Sequence, residues 1–172
     1  MTESTPASHL AALSPETLLQ RCRVDRRRGG GPGGQHRNVT ETAVVLREPE
    51  TGLTGQAGER RSQRENQRRA LFRLRLNLAV QVRGDFRPGR PSELWQSRRR
   101  GQAIEVNARH GDFPAILAEA MDVIVANRWE VTQAARQLGV STSQLTKLLK
   151  KHPEALEQVN QHRRERGKHT LK

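Results

Sequence analysis

The chain has 172 residues, a formal net charge of +13 and a pI near 11.5, with 33% hydrophobic residues and no tyrosine. That length holds one domain, or a domain with a small appendage, around a small aliphatic core, and the charge points to a polyanionic partner: RNA, DNA or an anionic membrane surface. The sequence has no apolar run near the roughly 18 residues of a membrane span, one cysteine (Cys22) that cannot form an internal disulfide, and six histidines without metal-ligand spacing, so a spanning protein, a disulfide scaffold and a zinc site are not expected.

Residues 1–17 read as a flexible lead. They carry acid rather than arginine and lack a basic region followed by an apolar stretch, so a cytoplasmic location is expected. Ser14 and Pro15 open a short helix through SPETLLQ, and RCRVD reads as a short strand. The stretch RRRGGGPGGQHRN, Arg26 to Asn38, then sets five glycines and a proline between two basic clusters. Gly29, Gly31 and Gly34 satisfy G-x-G-x-x-G, but that fingerprint needs a helix at its end and a βαβ unit around it, whereas a second strand follows here. No Gly-Lys-Ser/Thr closes the run, which excludes a P-loop. A plain linker is the other alternative; it does not account for Arg26, Arg27 and Arg28 on one side and His36, Arg37 and Asn38 on the other.

Thr42 to Glu48, TAVVLRE, is a strand, PETG supplies turn chemistry, and LTGQAGE returns as the second strand of a hairpin. RSQRENQRRALFRLRLNLAVQV reads as a long helix: Leu71, Leu74 and Leu78 share one face, and Arg61, Arg64, Arg68 and Arg75 fall on a neighbouring stripe. Such a helix packs on the hairpin and still shows a basic surface. Two prolines near Arg87, several glycines and three consecutive arginines make residues 83–111 a linker or irregular excursion.

A helical unit is expected over 112–160. Phe113, Ile116, Leu117, Ala120, Met121, Ile124 and Val125 recur at helical spacing, and VTQAARQLGVSTSQLTKLLKK has the layout of a helix-turn-helix, with Ala135 at the crossing, Gly139 in the turn and Leu145 and Leu148 as anchors. Ser141, Thr142, Gln144 and Lys147 fall on the exposed side, where a DNA reader faces the groove. Residues 111–172 hold 10 basic and 7 acidic residues, net +3, against 20 arginines, no lysine and 8 acids, net +12, over residues 21–100. Simple helix packing, or an RNA or ribosomal contact, is therefore favoured over DNA reading. Arginine without lysine in the first half suits bidentate phosphate and stacking contacts; a GC-rich codon habit would explain the arginine preference but not the net charge. Residues 161–172 form a basic tail, either a solvated end or an RNA anchor.

GGGPGGQHRNVTETAVVL, followed by PETGLTGQAGERRSQRENQRRAL, resembles the catalytic GGQ domain of class I peptide chain release factors and of the stop-codon-independent ribosome rescue hydrolases related to them. Gly33-Gly34-Gln35, with Asn38, Thr40, Glu41, Ala43 and Val44 behind it and Arg61, Ser62, Gln63 and Asn66 downstream, carries the resemblance over roughly residues 18–82. The pattern is most similar to short bacterial release-factor-like proteins in which this domain precedes a helical segment. It implies an α+β fold, a small hairpin sheet packed by a long helix and followed by an all-α, helix-turn-helix-like unit.

The resemblance also implies a reaction, hydrolysis of the ester joining a nascent peptide to tRNA. Gly33 and Gly34 would let the backbone pass close to RNA, and the main-chain N–H of Gln35 would be the donor to the developing oxyanion and leaving 3′ hydroxyl, while the Gln35 side chain admits water. Arg26, Arg27, Arg28, His36 and Arg37, together with Arg61, Ser62, Gln63, Arg64, Asn66, Arg68 and Arg69, would contact rRNA and tRNA. Asn38 would hold the base of a loop that orders only on the ribosome, and Gln144, Lys147, Arg163, Arg164, Arg166 and Lys168 would make accessory contacts. Gly29, Gly30 and Val39 stand where the family often carries serines and a lysine, so those contacts differ. No metal or cofactor is implied. The expected partners are the large ribosomal subunit, its rRNA and peptidyl-tRNA, with the chain a monomer. A chain of this length has no room for a codon-reading domain, so rescue of stalled or split ribosomes is expected, ahead of a non-hydrolytic ribosome- or tRNA-binding factor and of a DNA-binding regulator.

Overall fold

Four helices among the described residues start at serine caps, Ser14, Ser62, Ser92 and Ser141. The Ser14 hydroxyl accepts from the Thr17 N–H at 3.2 Å and Pro15 takes the first helical position, opening α1 (Pro15–Arg21). A single 3₁₀ turn, Leu10–Ala12, precedes it, its first N–H groups capped by the His9 imidazole. The structure, a computed structural model, describes residues 9–27, 42–84 and 91–172.

Three strands follow α1: β1 (Arg23–Arg27), β2 (Ala43–Arg47) and β3 (Thr54–Ala57), antiparallel throughout in the order β1-β2-β3. The expected hairpin is thus widened by β1 into a meander. In the β2–β3 turn Gly52 adopts φ +72° and the Glu48 carboxylate accepts from the Thr51 N–H at 2.7 Å. Val44, Leu46, Gly55 and Ala57 share the inner face by register and meet α2 (Gln63–Gln81), which is capped by the Ser62 hydroxyl. Strand and helix approach so closely at Gly55 that a β-carbon there would lie 2.1 Å from the Ala70 carbonyl oxygen and 2.5 Å from the Leu74 nitrogen. Glycine is required at that point.

The second half of α2 is buried on more than its sheet side. Leu74 and Leu78 face the strands, and the 3₁₀ turn and α4 (Phe113–Ala126) cover another flank. Arg75 lies on the same angular stripe as Arg61 and Arg68 but under that cover. It is 7% exposed, donating from Nε to the Ala11 carbonyl at 3.0 Å and from Nη1 to the Gly111 carbonyl at 2.7 Å. It is therefore a buried tie between segments and not part of the basic surface expected for it.

Residues 91–111, read from the sequence as linker, carry α3 (Glu93–Arg98) and a short hairpin of β4 (Arg99–Arg100) and β5 (Ala103–Ile104). Trp95 is fully buried and its indole N–H donates to the Leu138 carbonyl at 2.9 Å; Ile104 and Val106 join the same core. Burial of each such side chain is worth about 1.5–3 kcal/mol, which offsets the poor local propensity of an Arg/Pro/Gly-rich stretch. Helices α5 (Val131–Leu138), α6 (Thr142–Lys150) and α7 (Pro153–Glu165) complete the chain, with Gly139 at φ +67° in the α5–α6 turn.

One apolar core runs from Leu18 and β2 through α2 and α4 to Ala155 and Val159. The α+β class read from the sequence is what the structure has. The end of the chain folds back: the Leu171 N–H donates to Asn160 Oδ1 at 2.7 Å, Lys168 pairs with Glu130, and the rings of Trp129 and His162 stack with centroids 3.9 Å apart. No helix among the described residues is long and apolar enough to cross a membrane.

Candidate functional site

Arg27 and Ala43 are the last and first paired residues of β1 and β2 and stand opposite one another, about 5 Å apart as ladder partners. The described residues on either side of 28–41 therefore meet at one end of the sheet. Gly33, Gly34 and Gln35, with Arg28, His36, Arg37 and Asn38, lie outside the described residues, as does the expectation that their loop orders on a partner.

The re-entry point is clamped by Asn66. Its amide donates to the Thr42 carbonyl at 2.7 Å and to the Arg60 carbonyl at 2.8 Å, and Oδ1 accepts from the Arg60 N–H at 3.0 Å. The side chain is 0% exposed, so both donors are engaged with backbone in a site closed to solvent. Expected as an RNA contact, Asn66 instead holds the residue that follows the glycine-rich stretch against the first turn of α2. That correction follows from burial: a residue with no accessible surface touches no partner.

Around the clamp stands a basic rim. Arg61, just before the Ser62 cap, and Arg64 and Arg68 on the first two turns of α2 are exposed and have no ion pair among the described residues. Ser62 is spent on the helix cap, and Gln63 is half-buried beside it. Arg69 is partly committed, since its guanidinium lies 3.1 Å from Glu59, which also takes Arg73 at 2.7 Å. Against the upward pull of burial, the N–H groups of Glu59 and Gly58 and the two guanidinium groups hold the Glu59 carboxyl down at about 2. Glu59 thus stays ionised and pins the end of β3 to α2, while Arg73 Nη1 donates to the Gln56 carbonyl at 2.6 Å.

Arg26 and Arg27 close the rim from β1, Arg27 bonding Asp25 at 2.9 Å. An open groove of about 300 Å³ beside them is lined by Arg27, Val45, Gln56, Gly58 and Arg73 among others. Glu59 and Arg73 were not singled out in the sequence, although arginines four residues apart on a helix that follows an acid at a strand end give the signal.

The remaining candidates sit elsewhere. Gln144 is half-buried and Lys147 exposed on α6, which packs on α4, α5, α7 and β5. Arg163 and Arg164 belong to α7, where Arg163 donates to the His169 carbonyl at 2.8 Å and Arg164 pairs with Glu157 at 2.5 Å. Arg166 bonds the His162 carbonyl, and Lys168 is held by Glu130. Among the described residues no group of three or more His, Cys, Asp or Glu could hold a metal ion.

Residues 17–109 match the RF-1 domain family. The chain is 39% identical over 71 residues to peptide chain release factor 1 of Acidiphilium cryptum, 43% over 72 residues to peptide chain release factor 1 of Leptothrix cholodnii, and 39% over 73 residues to the mitochondrial peptide chain release factor 1-like protein of Rattus norvegicus. These stretches cover 41%, 42% and 42% of this chain and 20%, 19% and 18% of the three relatives, so the matched part spans about a fifth of their length. No solved structure matches the chain.

Proposed function

The chain belongs to the RF-1 domain family, that of the class I release-factor GGQ domain, and from that premise we propose that it hydrolyses the ester of peptidyl-tRNA on the ribosome without reading a stop codon. The observation that supports this best is the clamp: β-pairing at Arg27–Ala43 and the three hydrogen bonds of Asn66, one to Thr42 and two to Arg60, hold the residues flanking the segment that bears Gly33-Gly34-Gln35 at one corner. A catalytic loop carried there is aimed by the sheet while the arginine rim of α2 meets phosphates.

In the reaction, water attacks the ester carbonyl carbon, the bond to the tRNA 3′ oxygen breaks, and a proton ends on that oxygen, leaving a peptide carboxylic acid. The N–H of Gln35 stabilises the negative charge that builds on oxygen along this path, and Gly33 and Gly34 allow the approach. The side chain of Gln35 fills the space that a larger nucleophile would need. Arg26, Arg27, Arg28, His36, Arg37, Arg61, Arg64 and Arg68 supply affinity for rRNA and tRNA phosphates rather than chemistry. Residues 17–109 serve as the release unit, and the helices beyond supply the recognition that codon reading would otherwise give.

Release of labelled peptide from ribosomal complexes carrying a stop codon, a sense codon or no codon in the decoding site tests the reading. The proposal expects comparable rates in all three. Release confined to the stop-codon complex would overturn codon independence.

A further inference from the structure

Helices α5 and α6 lie beyond residue 109, where the family match ends. The β4–β5 hairpin is docked on the turn between them: the Ser141 N–H donates to the Gln102 carbonyl at 3.0 Å, and Arg99 Nη1 donates to the Gly139 carbonyl at 3.2 Å. Hairpin tip and helix pair therefore form one continuous surface. Over residues 99–104 and 131–151 that surface carries Arg99, Arg100, Arg136, Lys147, Lys150 and Lys151 and no Asp or Glu. Lys151 is committed to the Val106 carbonyl at 2.5 Å, and the other five are exposed. Within the C-terminal half, whose charge looked thin as a whole, residues 131–151 thus carry basic side chains unopposed by acid.

The chemistry of the exposed positions says what such a surface fits. A helix that reads DNA places base-contacting side chains such as Gln at its start, in the major groove. Here Thr142 and Gln144 are half-buried, and the exposed stripe of α6 is Ser143, Lys147 and Lys150 at i, i+4 and i+7. Lysine is a compact, flexible point charge well suited to tracking phosphates. Double-helical RNA is held in this way, by shape and backbone, because its narrow major groove admits no helix.

We infer that the β4–β5 hairpin and the Lys147–Lys150 face of α6 form a second nucleic-acid surface, which seats the sugar-phosphate backbone of an RNA duplex independently of its sequence. The choice of RNA over DNA rests on the proposed ribosomal function as well as on the half-buried state of Thr142 and Gln144. Because α4 packs along α2 and α5 packs on α4, this surface is linked through packed helices to the corner at Arg27 and Ala43.

The lysines of the chain are Lys147, Lys150, Lys151, Lys168 and Lys172, which makes amine footprinting decisive. The full chain is acetylated briefly with and without an RNA duplex of about 20 base pairs and arbitrary sequence, long enough for such a surface to span neighbouring grooves. Modification of Lys147 and Lys150 should slow about five-fold or more while Lys172 is unchanged. The Lys147→Gln/Lys150→Gln chain should bind the duplex about ten-fold more weakly, with the slope of log affinity against log salt flattened by roughly 2. Equal protection of Lys172, an unaltered double variant, or tighter binding to the DNA duplex of the same sequence overturns the inference. An unaltered double variant that still releases peptide overturns this surface and leaves the proposed function standing. Duplex protection in a chain that releases no peptide overturns the function and supports the surface alone.

Discussion

Replacing Asn66 by aspartate changes one nitrogen to oxygen and nothing in shape, and the structure says what that should do. The Oδ1 bond from the Arg60 N–H survives, but the former donor now faces the Thr42 and Arg60 carbonyl oxygens, at 2.7 and 2.8 Å in the parent. Two buried bonds worth about 1 kcal/mol each are lost and two carbonyls are left opposite an acceptor, so the expected cost is about 3–4 kcal/mol at neutral pH. Asn66→Ala loses all three bonds but leaves room for water, and should cost about 2–3 kcal/mol. The sign of the pH dependence is specific. Burial against two carbonyls raises the folded pKa of the new carboxyl above its unfolded value near 3.9, so it re-protonates in the folded state as pH falls, regains one donor, and the deficit shrinks toward about pH 4. Urea unfolding at several pH values measures this; at about 1–3 kcal/mol per molar, the midpoint moves by roughly 1 M or more. An Asn66→Asp protein within about 0.5 kcal/mol of the parent at pH 7, or a deficit that widens on acidification, refutes the clamp.

Other outcomes follow from packing and burial. Gly55→Ala drives a methyl into the Ala70 carbonyl and should cost about 3 kcal/mol or more, whereas Gly52→Ala, with nothing within 4 Å, carries only the left-handed strain of about 1 kcal/mol; thermal unfolding should rank them in that order. Trp95→Ala should cost about 3–5 kcal/mol in denaturant titrations, since it empties a fully buried site and strands the Leu138 carbonyl; a loss below about 1 kcal/mol would mean that residues 91–104 are not packed as described. Burial, aided by Glu119, pushes the Asp122 carboxyl up to about 6 against the pull of Arg83 and the Gly84 N–H. A raised folded pKa stabilises below the unfolded value and is lost as pH rises, so the stability of the parent relative to Asp122→Asn should fall by roughly 3 kcal/mol between about pH 4 and pH 7 and then level; a flat difference rejects it.

Much of the fold was legible where local chemistry and burial agree. TAVVLRE, PETG and LTGQAGE became β2, the turn and β3, and Gly139 sits in the left-handed turn assigned to it. The same holds for α4, whose apolar positions from Phe113 to Ile124 face the core. Residues 91–104 were not legible, because a six-residue helix is too short for periodicity and its one large apolar side chain, Trp95, stands among arginines. Arg75 and Asn66 share another difficulty. Helical spacing placed Arg75 on an exposed stripe and the family resemblance placed Asn66 among RNA contacts, but what covers a residue is decided by segments distant in sequence: the 3₁₀ turn and α4 over Arg75, the chain at Thr42 over Asn66. For the site itself, the resemblance names the segment, and the structure adds the corner at Arg27 and Ala43 that flanks it. Lys147 was expected on an exposed face, but Lys150 and the hairpin arginines were not joined to it, because a charge summed over 62 residues hides a run of 21 without an acid.

The central claim is that a main-chain amide at position 35 does the chemistry. Single-turnover peptide release by Gln35→Ala and Gln35→Pro chains on identical ribosomal complexes separates backbone from side chain, since alanine keeps the N–H and proline removes it. The account predicts that the proline chain releases peptide about 10²–10³-fold more slowly than the alanine chain, the usual cost of one oxyanion donor. Equal rates in the two chains contradict it.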